Sequence, residues 1–361
     1  MTSPALESAA ATTPPPTAPG PWQALHIFYA ASPRPLLLEC VKPLVEELTA
    51  EGLLSGHFFI NYWLQGPHVR LRLQPSSAAA TGQVRERAYT AVEAFLRRRP
   101  ALYEVKAGFL ADLYNTLFEL EYTEDQRERL MGSDGRMLLR DNNSASFEAY
   151  EPEYGKYGGS AGVALAEWHF EHSSDLVVES LRSMNLHLRT VLLGVSAQLM
   201  MVMSAVFLGE EEEIARFLEH YHAFWDGAFS DTNFTARKGY DRAYTDMGPE
   251  LGRRFGEIRS AIARGTDHEL PGFLRGWAAH CRELAGRVGE LAVRGELEFQ
   301  SWSGGEDFRV TDPVRALPIL MSPYMHMTNN RMSVTIRDEA FLSYVLARAL
   351  RESGAPPEGA R

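Results

Sequence analysis

The stretch His57-Phe58-Phe59-Ile60-Asn61-Tyr62-Trp63-Leu64-Gln65-Gly66-Pro67-His68-Val69-Arg70-Leu71-Arg72-Leu73 decides the fold class of this chain. Two runs rich in aromatic and β-branched residues flank Leu64-Gln65-Gly66-Pro67, a turn-forming tetrad, so the stretch reads as an antiparallel hairpin. Along the second run the side chains alternate. Val69, Leu71 and Leu73 fall on one face, and His68, Arg70 and Arg72 on the other. One face is suited to a core; the other is cationic and available for a different task.

Working outward toward the start, Trp22 to Ala30 reads as a further strand, punctuated by Pro33 and Pro35. Leu36 to Glu51 has apolar residues at helical spacing and is closed by Gly52. Residues 1–20 are rich in Ala, Thr and Pro and read as a disordered tail, without the basic and apolar regions of a secretory signal. In the other direction, Val84 to Arg99 is an amphipathic helix. Glu104 to Asp112 and Ser146 to Glu151 mix strand and loop character. A glycine-rich stretch, Tyr154 to Gly162, leads into a helix from about Ala161 to Phe170. From Asp175 to about Arg294 the pattern is helical, broken near Gly209, across Gly227 to Gly239, and at Pro271. Glu296 to Trp302 has strand character, Pro318 to Met332 reads as irregular, and Asp338 to Glu352 is a final helix. The expectation is an α+β fold: an N-terminal antiparallel sheet with its hairpin, then a largely helical half. A single catalytic domain over 21–352 is expected, with a second tail at 353–361.

Composition narrows the function. At 45% hydrophobic and 23% charged, the chain is an ordinary globular protein, and a net charge of -11 argues against a nucleic-acid partner. Only Cys40 and Cys281 are present, which excludes a disulfide framework or a cysteine-rich zinc site and fits a reducing cytoplasm. The longest apolar run, Val191 to Leu208, carries Ser196, Gln198 and Ser204, so it reads as a buried helix and no membrane span is expected. No P-loop, dinucleotide fingerprint or nucleophile elbow is found. His169 and His172 are one helical turn apart near Glu167 and Glu171, but they read as residues flanking a helix end. Neither a metal nor an organic cofactor is expected.

Three separated segments carry a positive signal. The first is the hairpin, with Phe58 to Trp63 and Gly66 to Arg72. The second is Tyr150-Glu151-Pro152-Glu153 with Lys156-Tyr157-Gly158-Gly159, followed by Glu167, Phe170 and Ser173-Ser174. The third is His326-Met327-Thr328-Asn329-Asn330-Arg331. In this order they resemble the C-terminal glutamate-elimination domain of class I lantibiotic dehydratases, over about Trp22 to Leu350. The same domain occurs alone in thiopeptide pathways, which modify ribosomally made peptides. The resemblance implies one of two activities, neither needing a metal or cofactor. One is glutamate elimination from glutamylated Ser or Thr, giving dehydroalanine or dehydrobutyrine. The other is pyridine synthesis, a formal [4+2] cycloaddition of two dehydroalanines followed by loss of water and of the leader peptide.

Two departures from the family pattern bear on the choice. Asn61 stands where the family carries an arginine that elimination enzymes use near the glutamyl carboxylate, and Lys156 replaces a second arginine. Asparagine supplies no charge and lysine lacks the guanidinium fork. A cycloaddition has no carboxylate to expel and tolerates both changes, so pyridine synthesis is the preferred reading. The opposing reading makes Asn61 an outward strand residue and leaves the work to Arg70 or Arg72. On the preferred reading Tyr62, Arg70 and His326 are the catalytic set. His68, Arg72, Tyr157, Glu167, Tyr324, Asn330 and Arg331 contact or frame the substrate. Tyr62, Tyr157, Tyr324 and His326 would handle protons, with Glu167 orienting Lys156 or an arginine and Asn330-Arg331 fixing a histidine loop. Tyr157-Gly158-Gly159 would either approach the substrate or turn sharply. The partner is a precursor peptide, leader plus modified core. Other enzymes of the pathway and a second copy of the chain are further candidate partners. A non-catalytic leader-binding subunit stays open, since an extended leader can add to a sheet edge. So does a generic α+β binding module.

Overall fold

The computed structural model describes residues 18–102, 117–118, 122, 124–133, 135–228, 237–301 and 306–353. The Glu104 to Asp112 segment, most of both expected tails and the interior of the Gly227 to Gly239 break lie outside them.

The hairpin forms as the alternation requires. Strand β2 (Leu54–Tyr62) pairs antiparallel with β3 (His68–Pro75), placing Phe58 opposite Arg72, Ile60 opposite Arg70 and Tyr62 opposite His68. Gln65 and Gly66 both take positive φ in the connection, the backbone geometry that a tight hairpin favours. β3 then pairs with β1 (Gln23–Phe28), and β1 with β4 (Ser144–Glu148), giving the order β2-β3-β1-β4, all antiparallel. Leu25, Ile27, Val69, Leu71 and Leu73 are buried on the face that the sequence assigns to the core. Beneath it lie a continuous helical run and a long helix. The run comprises α1 (Pro33–Leu36), a π-helical turn (Leu37–Val41) and α2 (Lys42–Ala50); the helix is α3 (Thr81–Arg98). Leu36, Leu48, Val84, Val92 and Phe95 fill the layer between them and the sheet.

A short α4 (Glu124–Glu128) precedes β4. Beyond β4, α5 (Tyr154–Tyr157) is separated from α6 (Gly159–Ser183) by Gly158 and Gly159, both at φ 85°. An added Cβ at Gly158 would also meet Leu297 and Phe299 at 3.0–3.1 Å, so the glycines serve a sharp turn. The helix expected from Ala161 to Phe170 is longer than its pattern suggested, since α6 continues unbroken to Ser183. Then follow α7 (Arg189–Leu208), α8 (Glu211–Ala228), α9 (Arg237–Arg264) and α10 (Gly272–Val293). A two-stranded ribbon of β5 (Leu297–Phe299) and β6 (Phe308–Val310) leads into α11 (Pro313–Arg331) and α12 (Ile336–Ser353). The α+β class and the order of its halves are as the sequence indicates. Among the described residues α7 alone is long and apolar enough to cross a membrane, and it is mostly buried by its neighbours α9, α10 and α11.

One expectation is overturned. Pro318 to Met332, read as irregular, lies almost wholly within α11 despite two internal prolines. Each proline removes a backbone donor and costs about 3 kcal/mol in a helix interior. Ala316, Leu320, Met321, Tyr324, Met325 and Met327 are buried along this helix, and that packing offsets the cost.

The helical half seals one edge of the sheet. The outward N–H groups of β2 donate to side chains from α6 and α11. His57 N–H reaches Glu171 Oε1 (3.3 Å), Phe59 N–H reaches Ser174 Oγ (3.2 Å), and Asn61 N–H reaches Asn330 Oδ1 (3.0 Å). The His57 ring also lies between Asp175 (3.1 Å) and Glu171 (3.5 Å). Burial lowers its pKa, but the two carboxylates prevail and raise it to about 9.

Candidate active site

The cationic face of β3 does not face solvent freely. Register places Ala24, His26 and Phe28 of β1 and Phe58, Ile60 and Tyr62 of β2 beside His68, Arg70 and Arg72. Arg70 lies 3.6 Å from the centroid of the Tyr62 ring and donates through Nε to His68 Nε2 (3.1 Å). His68 Nδ1 pairs with the Gly66 carbonyl (2.9 Å), which makes Nδ1 the protonated nitrogen and Nε2 the acceptor. Burial, reinforced by Arg70 and Arg72, depresses the His68 pKa to about 3, so the ring is neutral at pH 7. His26 stacks on His68 (5.1 Å between centroids) and is depressed to about 2 by burial and the same arginines. The Tyr62 hydroxyl meets that of Tyr122 at 2.8 Å.

Deeper along the same face the chain buries two more arginines. Arg72 is 4% exposed, with its guanidinium 5.4 Å from the Tyr150 ring, and its Nε and Nη1 have no hydrogen-bond partner. Arg331 reaches in from α11 across Phe170 (4.4 Å). It donates from Nε to Ser174 Oγ (3.2 Å) and from Nη1 to the Met327 carbonyl (2.7 Å), which leaves Nη2 unpaired. Burial lowers Arg72 to about 10 and Arg331 to about 9, and both remain protonated at pH 7. Tyr157 and Tyr324 stack at 6.1 Å, and their buried hydroxyls have no partner in this structure. Burial raises both well above the ordinary phenol value, so they are neutral donors. Unpaired buried donors are costly. This concentration of guanidinium and phenol groups is suited to receiving oxygen atoms.

Three expected roles change on inspection. Glu167 accepts from the Tyr150 hydroxyl (2.6 Å), while Lys156 pairs with Glu153 (3.3 Å), so the acid orients a tyrosine and not the lysine. Asn61 is neither a free site residue nor a plain outward one. Its Nδ2 donates to the carbonyls of Asn330 (2.7 Å) and Arg331 (3.3 Å), capping the end of α11, while Asn330 Nδ2 returns a bond to Asn61 O (2.8 Å). His326 lies in a helix rather than a loop, and Asn330 and Arg331 bond to β2 and α6 instead of to it. Its Nδ1 meets Glu339 Oε1 of α12 at 3.0 Å, and its ring packs on Trp225 of α8 at 4.8 Å. Tyr62, Arg70, His68 and Arg72 thus share one sheet face, continued by Arg331, Tyr157 and Tyr324. His326 stands apart, one turn before Asn330 on α11. His169 is fully buried with Nδ1 2.9 Å from His280 Nε2, and among the described residues no group of three or more His, Cys, Asp or Glu could hold a metal ion.

Sequence reasoning missed Tyr122, His26 and Glu339. His26 becomes recognisable only once β1 is paired with β3. Glu339 was hidden because an acid in the first turn of a helix has an ordinary explanation.

The Asn61–Asn330 clasp makes a direct prediction. Asn330→Ala strips a partly buried N–H and C=O of their partners and is expected to cost about 2–3 kcal/mol in urea unfolding. Asn330→Asp keeps the acceptor and should lose less. Equal stability of all three proteins would show that the clasp contributes nothing.

The family profile described as "Lantibiotic biosynthesis dehydratase C-term" matches residues 22–350. Among solved structures, "Pyridine synthase, TbtD, from thiomuracin biosynthesis" is similar with a TM-score of 0.67 at 20% identity, over 92% of this chain and 98% of that one. TsrL is similar with a TM-score of 0.63 at 17% identity, over 92% of this chain and 95% of that one. No curated protein matches the sequence. The profile match spans nearly the whole chain and includes all three motif segments, so the chain belongs to the family of lantibiotic biosynthesis dehydratase C-terminal domains.

Proposed function

We propose that the chain is a pyridine synthase of thiopeptide type, a single catalytic domain over about 21–352 acting in the cytoplasm on a precursor peptide. The observation that carries this reading is the state of position 61. Asn61 Nδ2 is committed to the end of α11, so this position has no charge or free donor with which to hold a departing glutamate. Family membership and the shared fold of a pyridine synthase support the same reading.

The substrate would be a leader-bearing peptide with two dehydroalanines. Holding both alkenes at near-attack distance accounts for much of such a reaction, and positioning of this kind contributes about 7–11 kcal/mol in favourable cases. One amide must be held as its imidic-acid tautomer, and water and then the leader amide must leave. Those steps need proton donors and acceptors rather than a nucleophile. On the sheet face, the Arg70 guanidinium over Tyr62 and the unpaired donors of Arg72 and Arg331 would hold peptide oxygens. Tyr157 and Tyr324 are neutral phenols for proton transfer, Tyr62 adds a third hydroxyl, and His326 supplies an imidazole. His68, already bonded at both nitrogens, would hold Arg70. A leader joining a sheet as an extra strand would meet a sealed β2 edge. Among the described residues no hydrogen bond outside the pairing with β1 involves the backbone of Ala145 or Phe147 of β4, which would be the available edge.

Arg72 and Arg331 also favour a second reading. Two buried cations with unpaired donors suit a carboxylate, as glutamate elimination requires. Parallel incubation of pure protein with a dehydroalanine-bearing azole peptide and with a glutamylated peptide separates the two by mass spectrometry. Pyridine synthesis releases a free leader amide and a macrocycle with a six-membered nitrogen ring. Loss of glutamate alone would install the elimination reading, and turnover of neither with retained leader binding would select the non-catalytic subunit.

A further inference from the structure

On α11 the histidine that opens the third motif segment meets an acid that lies outside all three segments. Glu339 is fully buried on α12. One carboxylate oxygen accepts from the Tyr221 hydroxyl of α8, and the other lies 3.0 Å from His326 Nδ1. A carboxyl group at this depth is expensive, and an apolar residue of similar size is often at least as stable. Among the described residues it has no lysine or arginine partner, and His326 Nδ1 is the nitrogen it meets. The imidazole is restrained on its flank by the Trp225 ring at 4.8 Å. Its side chain is 22% exposed, and among the described residues Nε2 has no hydrogen-bond partner. Orienting one nitrogen with a buried acid while leaving the other accessible is how a histidine is prepared for proton transfer. Asn330, one turn along the same helix and about 6 Å farther, bonds to Asn61 beside Tyr62. His326 thus lies one helical turn from the junction between α11 and β2.

We infer that Glu339 is the positioning residue for His326, fixing its ring through Nδ1 so that Nε2 is the atom that gives and takes the proton during the elimination of water and leader amide. This assignment rests on the proposed reaction for its kinetic consequence, but its structural content can be read without substrate. Protein labelled with nitrogen-15 at histidine, with the His326 signal assigned through His326→Gln, reports the ring's tautomer and protonation pattern. The parent and Tyr221→Phe should show one fixed pattern, and Glu339→Leu should show the averaged pattern of a free imidazole. With the dehydroalanine peptide, Glu339→Gln and Glu339→Leu should lower kcat by about 10²-fold with KM nearly unchanged, the scale of a lost acid–base contribution. Tyr221→Phe should stay within about threefold, because it leaves the His326 contact intact. The isosteric Glu339→Gln keeps the test valid if the leucine variant does not fold. A ring pattern unchanged in Glu339→Leu, or parent-like kcat in folded Glu339→Gln, overturns the inference. A fixed ring in a protein that forms no pyridine upholds the positioning contact while rejecting the reaction. Pyridine formation with a ring indifferent to Glu339 does the reverse.

Discussion

Stability is expected to fall steeply below pH 6.5 and gently above it. His68, His169 and His280 are buried in the neutral state, with pKa values held near 3 for His68 and His280 and well below the usual 6.5 for His169. Burial is the first cause in each case. Between the unfolded value of 6.5 and these depressed values the unfolded chain binds protons that the folded chain refuses. Each such histidine therefore contributes stability that is complete above pH 6.5 and is lost as pH falls. The slope is about 1.4 kcal/mol per pH unit for each group. With the half-buried His26, which is depressed to about 2 by burial, the four together should cost roughly 5–6 kcal/mol by pH 5.5, a large share of a typical domain's stability. His57 has the opposite sign. Its pKa is raised to about 9, so its contribution is complete below 6.5 and lost as pH rises toward 9. Urea midpoints measured from pH 5 to 9 should trace an asymmetric dome with its summit near 6.5. A profile flat between pH 5 and 7 would mean that these rings are not held neutral in the fold.

The second large effect separates stability from activity. Arg72→Met should leave the protein as stable or stabilise it by about 1–3 kcal/mol, because it removes a buried cation whose Nε and Nη1 are unpaired and which meets no acid among the described residues. Methionine follows the arginine stem and keeps the contact with the Tyr150 ring. Turnover should drop by about 10²–10³, the typical cost of losing a donor aimed at developing negative charge. The combination is diagnostic. A purely structural arginine would lose stability and activity together, whereas a donor kept for substrate loses only the second. A destabilised Arg72→Met protein with normal turnover would remove Arg72 from the site.

The hairpin and its two faces are legible in the sequence because alternation is a local property, written into adjacent residues. The cationic face was read correctly from His68, Arg70 and Arg72 alone. What it touches was not legible, since the approach of Arg331, Tyr157 and Tyr324 depends on how α5, α6 and α11 dock. Pro318 and Pro323 concealed α11, because their local penalty is visible in the sequence and the tertiary packing that offsets it is not. The same concealment made His326 look like a loop residue. Its partner Glu339 lies beyond a helix boundary, where no fixed periodicity links the two positions. Asn61 shows the converse. Its departure from the family residue was plain, but its bonds to the end of α11 could not be read from one strand.

The sealed edge of β2 has a bearing on the protein's behaviour at high concentration. An uncovered edge strand is a template on which a second chain can extend the sheet. Here Glu171, Ser174 and Asn330 occupy the sites at which such growth would begin. Two of those plugs travel with α6 and one with α11, so the strand is inert only while both helices stay seated. The fold's resistance to templated aggregation is therefore a property of helix docking, and a partial opening that unseats either helix would expose a growth-competent edge before the sheet itself has unfolded.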